Sequence, residues 1–150
     1  MSRRTAQASR AIADAWENER QLVSEGKGTR DWSREEQEDI LATGKAHDAN
    51  GRAFEGHHMQ SVSYKPEYQG EAGNIQFLSR EEHLAAHEGS FQNKTNGFYD
   101  YKTGKTEPFK GDRFVSCTIS TSPIQFPFRI LKRLTVLIIC QNPKKSRTIQ

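Results

Sequence analysis

The sequence predicts an α+β fold, with a helical N-terminal part, a strand–loop–strand–helix unit in the centre and an irregular C-terminal tail. Three observations support this prediction. Apolar residues recur at helical spacing near the N-terminus, two capping boxes mark helix starts, and a segment of alternating polarity, typical of a strand, precedes the second box. At 150 residues, the chain is long enough for one domain and too short for two ordinary ones.

Two helices are predicted in the N-terminal part. The first runs from about residue 5 to residue 25, because Ile12, Trp16 and Val23 follow helical spacing, and Gly26 is its expected end. The second begins at the capping box Ser33-Arg34-Glu35-Glu36 and runs to about residue 42, before a stop at Gly44. Its expected buried residues are Ile40 and Leu41, and we expect Trp16 and Trp32 to belong to the core.

The central unit is predicted to span about residues 53–89. Asn50-Gly51 marks a turn, and residues 53–59 then have the pattern of a short strand. Residues 60–73 form a long polar loop, and Asn74–Leu78 alternates like a half-buried strand.

A helix and a hairpin are predicted to follow. The second capping box, Ser79-Arg80-Glu81-Glu82, opens a helix that Gly89 closes. Asn96-Gly97 and Lys102-Thr103-Gly104 then indicate a small hairpin or ordered loop that contains Phe98, Tyr99 and Tyr101.

Four of the five histidines fall inside the central unit. His57 and His58 are adjacent on a strand, where neighbouring side chains point to opposite faces, so they cannot perform the same task. His83 and His87 are four residues apart on a helix and can therefore bind one ion together. Asn74 can join the two halves of the unit through hydrogen bonds. From spacing alone, either member of the adjacent pair could complete the ion site, and the other would remain free as a base.

This arrangement predicts a nuclease site with a single metal ion. Phosphodiester hydrolysis requires a deprotonated water, neutralised phosphoryl oxygens and a stabilised leaving oxygen, and a divalent cation can supply the last two. A histidine, with an ordinary pKa near ~6.5, suits the first. We assign His57, His83 and His87 to the metal and His58 to the base. Three imidazoles leave an open coordination position, which indicates a catalytic site, and the metal could be Mg, Mn, Ni or Zn.

The run Phe54-Glu55-Gly56-His57-His58, followed by Asn74-Ile75 and by the helical histidines, resembles the HNH nucleases of the ββα-metal (His-Me finger) superfamily, colicin-type DNases above all. The resemblance implies a ββα-metal (HNH) motif with one divalent metal ion. It also implies that His58 is the general base, that Asn74 braces the loop and that Glu55 orients a neighbouring side chain. Arg52 is a weaker match to a basic residue of the family.

A closer resemblance covers about residues 13–100. Three segments carry it: Gly28-Thr29-Arg30-Asp31-Trp32-Ser33, Ile40-Leu41-Ala42-Thr43-Gly44-Lys45, and Gly56-His57-His58 through Asn74-Ile75-Gln76-Phe77-Leu78. They are similar to the GHH-signature nuclease modules at the C-termini of bacterial polymorphic toxins, which have degenerate relatives at teneurin C-termini. The resemblance implies a toxin that acts on DNA, with RNA left open as a substrate. It also implies that a producing cell needs a protecting partner, most simply a small acidic immunity protein.

The C-terminal tail differs in composition from the rest of the chain. Residues 114–150 carry six Lys or Arg and no acidic residue, so the net charge of +3 comes wholly from this segment. We therefore predict a nuclease domain over residues 1–113 and a basic, apolar tail of unknown role over residues 114–150. The apolar run Leu134–Cys140 is far shorter than the roughly 20 residues of a transmembrane helix. No apolar segment follows Met1, so we expect a cytoplasmic location, or delivery into a target cell without a Sec signal peptide.

Two function classes remain open. The first is an endonuclease, used as a bacterial toxin or as a mobile-element or phage nuclease. The second is a non-catalytic, metal-stabilised module that binds nucleic acid or protein, like degenerate relatives that have lost their histidines. This chain keeps those histidines, which favours the enzyme. A structural zinc site is disfavoured because Cys117 and Cys140 lie outside the central unit. His47 is interpreted as a core or surface residue. The sequence leaves the oligomeric state open.

Overall fold

The computed structural model describes residues 3–111 and 119–120, and it confirms the α+β fold class. The elements in chain order are α1 Arg3–Ser24, β1 Lys27–Gly28, α2 Arg34–Thr43, β2 Glu55–His58, β3 Ile75–Leu78, α3 Arg80–Ala86, β4 Gly97–Asp100, β5 Lys105–Pro108 and β6 Ile119–Ser120. Among these residues the strands form three antiparallel pairs: β1 with β6, β2 with β3, and β4 with β5.

Both predicted N-terminal helices are confirmed. The side chain of Ser33 accepts a hydrogen bond from the Glu36 backbone N–H, and the Glu36 carboxylate accepts one from the Ser33 N–H, which completes the capping box of α2. Gly44 ends α2 in the left-handed conformation at φ 86°, where its N–H donates to the Ile40 carbonyl. Ile40 is fully buried, whereas Leu41 is partly buried against the same core.

The segment between α1 and α2 wraps around a buried carboxylate that the sequence analysis missed. Glu19 of α1 is 1% exposed, and it accepts hydrogen bonds from the Thr29 N–H at 2.8 Å, from the Thr29 hydroxyl at 2.7 Å and from the Trp32 indole. Burial raises the pKa of Glu19, although these three hydrogen bonds oppose the rise. A Cβ on Gly28 would lie 2.9 Å from the Arg30 carbonyl oxygen and 3.0 Å from the Trp32 ring, so only glycine fits this close turn.

The β2–β3 hairpin is at the centre of the fold, paired from Glu55 opposite Leu78 to His58 opposite Ile75. The prediction that the second strand is half-buried is wrong, since all four residues of β3 are buried. Ile75 and Phe77 pack in the main core with the tryptophans, and the Phe77 and Trp16 ring centroids are 3.7 Å apart. The opposite face is covered too, because Leu78 packs with Ala86 of α3 and Tyr99 of β4.

The predicted helix after β3 and the predicted hairpin are also confirmed. The Ser79 capping box is complete, but α3 ends at Ala86, with His87 as its C-cap and Gly89 in the left-handed turn beyond it. β4 and β5 form the hairpin, and the Gln76 side chain joins it to β3 by bonding both the carbonyl and the N–H of Tyr99.

Only two residues of the segment predicted as a tail are described. Ile119 and Ser120 form β6 and pair with Gly28 and Lys27 of β1. The predicted domain boundary at Arg113 and the apolar run Leu134–Cys140 lie outside the described residues. Within the described part of the chain, we find no helix that is both long and apolar enough to cross a membrane.

Candidate active site

Three histidines converge at the junction of β2 and α3. His57, His83 and His87 each offer one ring nitrogen, and these atoms all lie within 4.8 Å of one another. The His57 ring centroid is 5.0 Å from that of His83 and 4.9 Å from that of His87. The helical pair shares a face because the His87 N–H donates to the His83 carbonyl one turn earlier.

The environment of His57 indicates whether the three histidines could bind a metal ion. It is 1% exposed, and its Nδ1 has no hydrogen-bond partner among the described residues. Burial, followed by the proximity of His83 and His87, lowers the pKa of His57 to about 3, so the ring is neutral. A neutral imidazole has one ring nitrogen with a free lone pair, and His57, His83 and His87 lie close enough for three such nitrogens to share one cation. The donor set therefore fits a divalent ion.

The other two histidines are oriented by hydrogen bonds from their Nδ1 atoms. His83 donates to the Glu55 carboxylate at 2.6 Å, and His87 donates to the Asn93 carbonyl at 2.8 Å. Each ring therefore keeps Nε2 free for a metal, which is the common arrangement at histidine-ligated sites. Arg80 binds the second oxygen of Glu55 at 3.0 Å.

The charges around Glu55 reinforce this geometry. Burial raises the pKa of Glu55, but the hydrogen bonds from His83 and Arg80 outweigh it and hold that pKa below its usual value. Burial lowers the pKa of His83, against the opposing effect of the Glu55 hydrogen bond. The pair is therefore a neutral imidazole that donates to an ionised carboxylate, and this leaves the other ring nitrogen basic.

His58 is not part of the group formed by His57, His83 and His87. Its Nε2 is 3.1 Å from the Gln69 carbonyl oxygen, which can only accept, so Nε2 carries the proton and Nδ1 has a free lone pair. Burial lowers the pKa of His58 despite the opposing hydrogen bond to Gln69. The half-buried ring is thus neutral at physiological pH and can act as a base at Nδ1.

Asn74 connects the ends of the loop that carries Gln69. Its side-chain oxygen accepts from the Gln60 N–H at 2.8 Å, while its amide nitrogen donates to the carbonyls of Gln60 at 2.9 Å and Tyr68 at 3.3 Å. The residue is fully buried, so these bonds are shielded from water. Asn74 thereby holds the carbonyl of Gln69 near His58 indirectly, through the adjacent Tyr68.

Arg52, which was predicted as a site residue, and His47, which was interpreted as a core or surface residue, both lie outside this arrangement. The Arg52 side chain is exposed and makes no hydrogen bond or ion pair within the described part of the chain, although its backbone N–H donates to Asp48. His47 is a partly exposed residue that contacts the Asp39 carboxylate. Within the described part of the chain, neither Arg52 nor His47 contacts His57, His83 or His87.

Three residues that contact the site's side chains were not predicted from the sequence: Gln69, Arg80 and Asn93. Gln69 and Asn93 contribute backbone carbonyls, which leave no signal in side-chain identity. Arg80 belongs to a capping box, and nothing in that local pattern indicates its contact with Glu55, 25 residues earlier. The sequence does show that Arg80 is a basic residue one helical turn before His83, but it does not show which carboxylate Arg80 binds.

The first half of the chain matches a known protein family. Residues 3–79 match the family model described as a GHH signature containing HNH/Endo VII superfamily nuclease toxin. This match covers about half of the chain and includes Gly56, His57, His58 and Asn74, but it ends before His83 and His87. The place of His83 and His87 in the cluster therefore rests on their spacing in the sequence and on the geometry, and not on this match.

Curated relatives that the chain matches are teneurins. Teneurin-3 of Mus musculus is 38% identical, teneurin-3 of Danio rerio 35% and teneurin-4 of Homo sapiens 34%, each over 74 residues. These alignments cover 49% of this chain but only 2% to 3% of the length of the relatives. The similarity therefore concerns a small module of much longer proteins.

Proposed function

This chain belongs to the family of GHH-signature HNH/Endo VII nuclease toxins, and we propose on that basis that it is a metal-dependent endonuclease that hydrolyses phosphodiester bonds in DNA. One observation carries the proposal. Three imidazoles converge, and a fourth, that of His58 next to His57 on β2, keeps a basic Nδ1. A structural zinc site would need a fourth fixed ligand and no separate base.

In this proposal His57, His83 and His87 hold one divalent ion, which could be Mg, Mn, Ni or Zn. When bound, the ion supplies Lewis-acid stabilisation of the phosphoryl and leaving oxygens. Glu55 and the Asn93 carbonyl keep the helical imidazoles turned towards that ion, because each accepts the Nδ1 proton.

His58 is the proposed general base. Its Nδ1 would take a proton from the attacking water, since its Nε2–H is engaged by the Gln69 carbonyl. Asn74 keeps the loop that carries Gln69 in place, and the exposed Arg52 would contact a backbone phosphate. Glu55, Asn74 and Arg52 are thus proposed to position ligands, base and substrate.

Plasmid nicking tests the proposal. The wild type should nick supercoiled DNA with added divalent metal and should stop when EDTA is added. His58→Ala should abolish nicking yet keep metal affinity in calorimetry, because it removes the base and no ligand. His47→Ala is the matched control, since His47 is a histidine outside the cluster.

Two outcomes would change the assignment. If His58→Ala loses metal while His57→Ala keeps it, the roles of the adjacent pair are exchanged. If the metal-loaded wild type binds nucleic acid but cleaves neither DNA nor RNA, the protein is a metal-stabilised binding module. Cleavage of RNA alone would move the substrate from DNA to RNA.

A further inference from the structure

Phe91 is a large aromatic side chain exposed at the edge of the histidine cluster. It is 46% exposed, and its ring centroid is 5.1 Å from that of His83 and 5.6 Å from that of His87. A single exposed apolar residue is ordinary on a protein surface. This ring, however, contacts two of the three proposed metal ligands, so it lies within one nucleotide of any phosphate bound there.

The loop that carries Phe91 is ordered by hydrogen bonds to His87. The Asn93 side chain donates to the His87 carbonyl at 2.8 Å, and the Asn93 carbonyl accepts from the His87 ring at 2.8 Å. The Ser90 N–H also donates to the His87 carbonyl, at 3.1 Å. The position of the Phe91 ring is therefore set relative to the cluster, although the ring itself is not buried.

A cation also lies close to the same ring. The Arg80 guanidinium is 5.6 Å from the Phe91 centroid, and its side chain is 57% exposed while it binds Glu55. A cation beside an exposed aromatic face matches a nucleotide, which offers an anionic phosphate next to a planar base. The cluster, Arg80 and Phe91 thus form one continuous surface.

We propose that Phe91 stacks on a nucleobase next to the scissile phosphate and so directs the enzyme to DNA whose bases are already unstacked. This inference rests on the proposed nuclease function. In a duplex every base is stacked on both sides, so its face becomes available only after the duplex is disrupted. Single strands and mismatched sites present that face without this cost, and aromatic stacking tolerates every base.

Cleavage rates on matched single-stranded and duplex oligonucleotides of one sequence test the proposal. The wild type should prefer the single strand, and Phe91→Ala should reduce that preference by about fivefold or more. Phe91→Tyr, which keeps the ring, should retain the preference. Leu84→Ala is the control, since Leu84 is 38% exposed on α3 but lies one residue from His83 and thus on another helical face.

The ratio of the two rates separates stacking from an indirect effect on the metal. If Phe91 only covers His83 and His87, its removal lowers both rates equally and leaves the ratio unchanged, which overturns the proposal. The melting temperature and metal affinity of Phe91→Ala show whether the variant is folded, and Phe91→Tyr provides the second comparison.

A binding measurement gives an independent readout. In the His58→Ala protein, a single strand that contains 2-aminopurine should lose fluorescence when the base stacks on Phe91. Adding Phe91→Ala should remove this quenching, and persistent quenching would overturn the proposal. If the wild type cleaves no nucleic acid, the proposed function itself fails. If the wild type cleaves with the same substrate preference as Phe91→Ala, only the stacking role fails, and the exposed ring would instead be a contact for a protein partner.

Discussion

His57 is a buried imidazole whose Nδ1 finds no hydrogen-bond partner among the described residues. Its folded-state pKa of about 3 lies far below the value of 6.5 expected when it is exposed. As the pH falls, the imidazole of His57 is therefore protonated in the unfolded chain at a higher pH than in the folded protein. The stability linked to this residue is fully present above pH 6.5 and is lost as the pH falls from there towards 3.

The first prediction concerns this pH dependence. Between pH 7 and pH 5 the metal-free protein should lose about 2 kcal/mol of unfolding free energy through His57 alone, at about 1.4 kcal/mol per pH unit below pH 6.5. Burial lowers the pKa values of His58 and His83 too, which adds loss of the same sign. Urea unfolding in EDTA at several pH values measures the slope. His57→Gln should flatten it, and an equally steep slope in that variant would contradict the assignment.

Gly56 shows why a glycine precedes the two adjacent histidines. A Cβ at this position would lie 2.7 Å from Cγ1 of Ile12 and 3.0 Å from its Cγ2, so α1 packs directly on the backbone of β2. The second prediction is that Gly56→Ala destabilises the protein by about 1–3 kcal/mol through overpacking. Denaturant unfolding measures the change.

The matched control is Gly70→Ala, because a Cβ there meets nothing within 4 Å. Ile12→Ala should recover part of the loss in the double variant, since it removes the atoms that clash. Equal effects of the two glycine substitutions would show that backbone flexibility, rather than the approach of α1, determines the cost.

At the scale of elements, α3 is fixed at its first turn by a residue from the distant N-terminal part. Arg30 binds both oxygens of Glu82, at 2.8 and 2.9 Å, and lies 3.8 Å above the Tyr101 ring. Glu82 also accepts the Ser79 N–H in the capping box, directly before His83. The Arg30–Glu82 pair therefore sets the start of the helix that carries His83 and that is capped by His87.

The third prediction is that Arg30→Met weakens metal binding and lowers the unfolding free energy by about 2 kcal/mol or more, because Glu82 loses its largely buried partner. Calorimetry and urea unfolding measure the two effects. Arg34→Met is the control, since its pair with Glu38 is exposed and should contribute less than about 1 kcal/mol. Unchanged metal affinity in Arg30→Met would exclude a positioning role.

For the whole molecule, β6 connects part of the C-terminal segment to the N-terminal part. The fourth prediction is that deletion of residues 121–150 leaves cleavage of short DNA measurable, because the proposed site residues and β6 are retained. Deletion from residue 114 also removes β6, and we expect a lower melting temperature, since β1 next to the Glu19 turn loses its pairing strand. Loss of folding in the shorter deletion would place the domain boundary beyond residue 120.

The fifth prediction extends the family's toxin character to this chain. A nuclease of low sequence specificity in a bacterial cytoplasm would damage the chromosome, so we expect expression of the wild type to arrest growth and His58→Ala to be tolerated. An acidic immunity protein could neutralise the toxin by covering the site that is proposed to bind the DNA backbone. Equal growth of the two strains at matched protein levels would contradict both the toxin role and the need for such a partner.

The sequence by itself determined the features that depend on neighbours in the chain. The capping boxes at Ser33 and Ser79 involve bonds between residues three apart, so they could be identified without a fold. The four-residue spacing of His83 and His87 likewise placed them on one helical face. The sequence also indicated the strand that carries the adjacent histidines, but it left open which of the two joins the helical pair.

The tertiary structure alone decided the features that depend on contacts between distant segments. His57 joins His83 and His87 because the pairing of β2 with β3 turns that face towards α3, whereas His58 meets the loop at Gln69. β3 is buried on both faces because α1 covers one side, and α3 and β4 cover the other. Arg30 binds Glu82 across 52 residues, a separation at which no local pattern restricts which side chains meet. Such contacts are selected by the packing of the whole chain, since only the folded core brings their elements together.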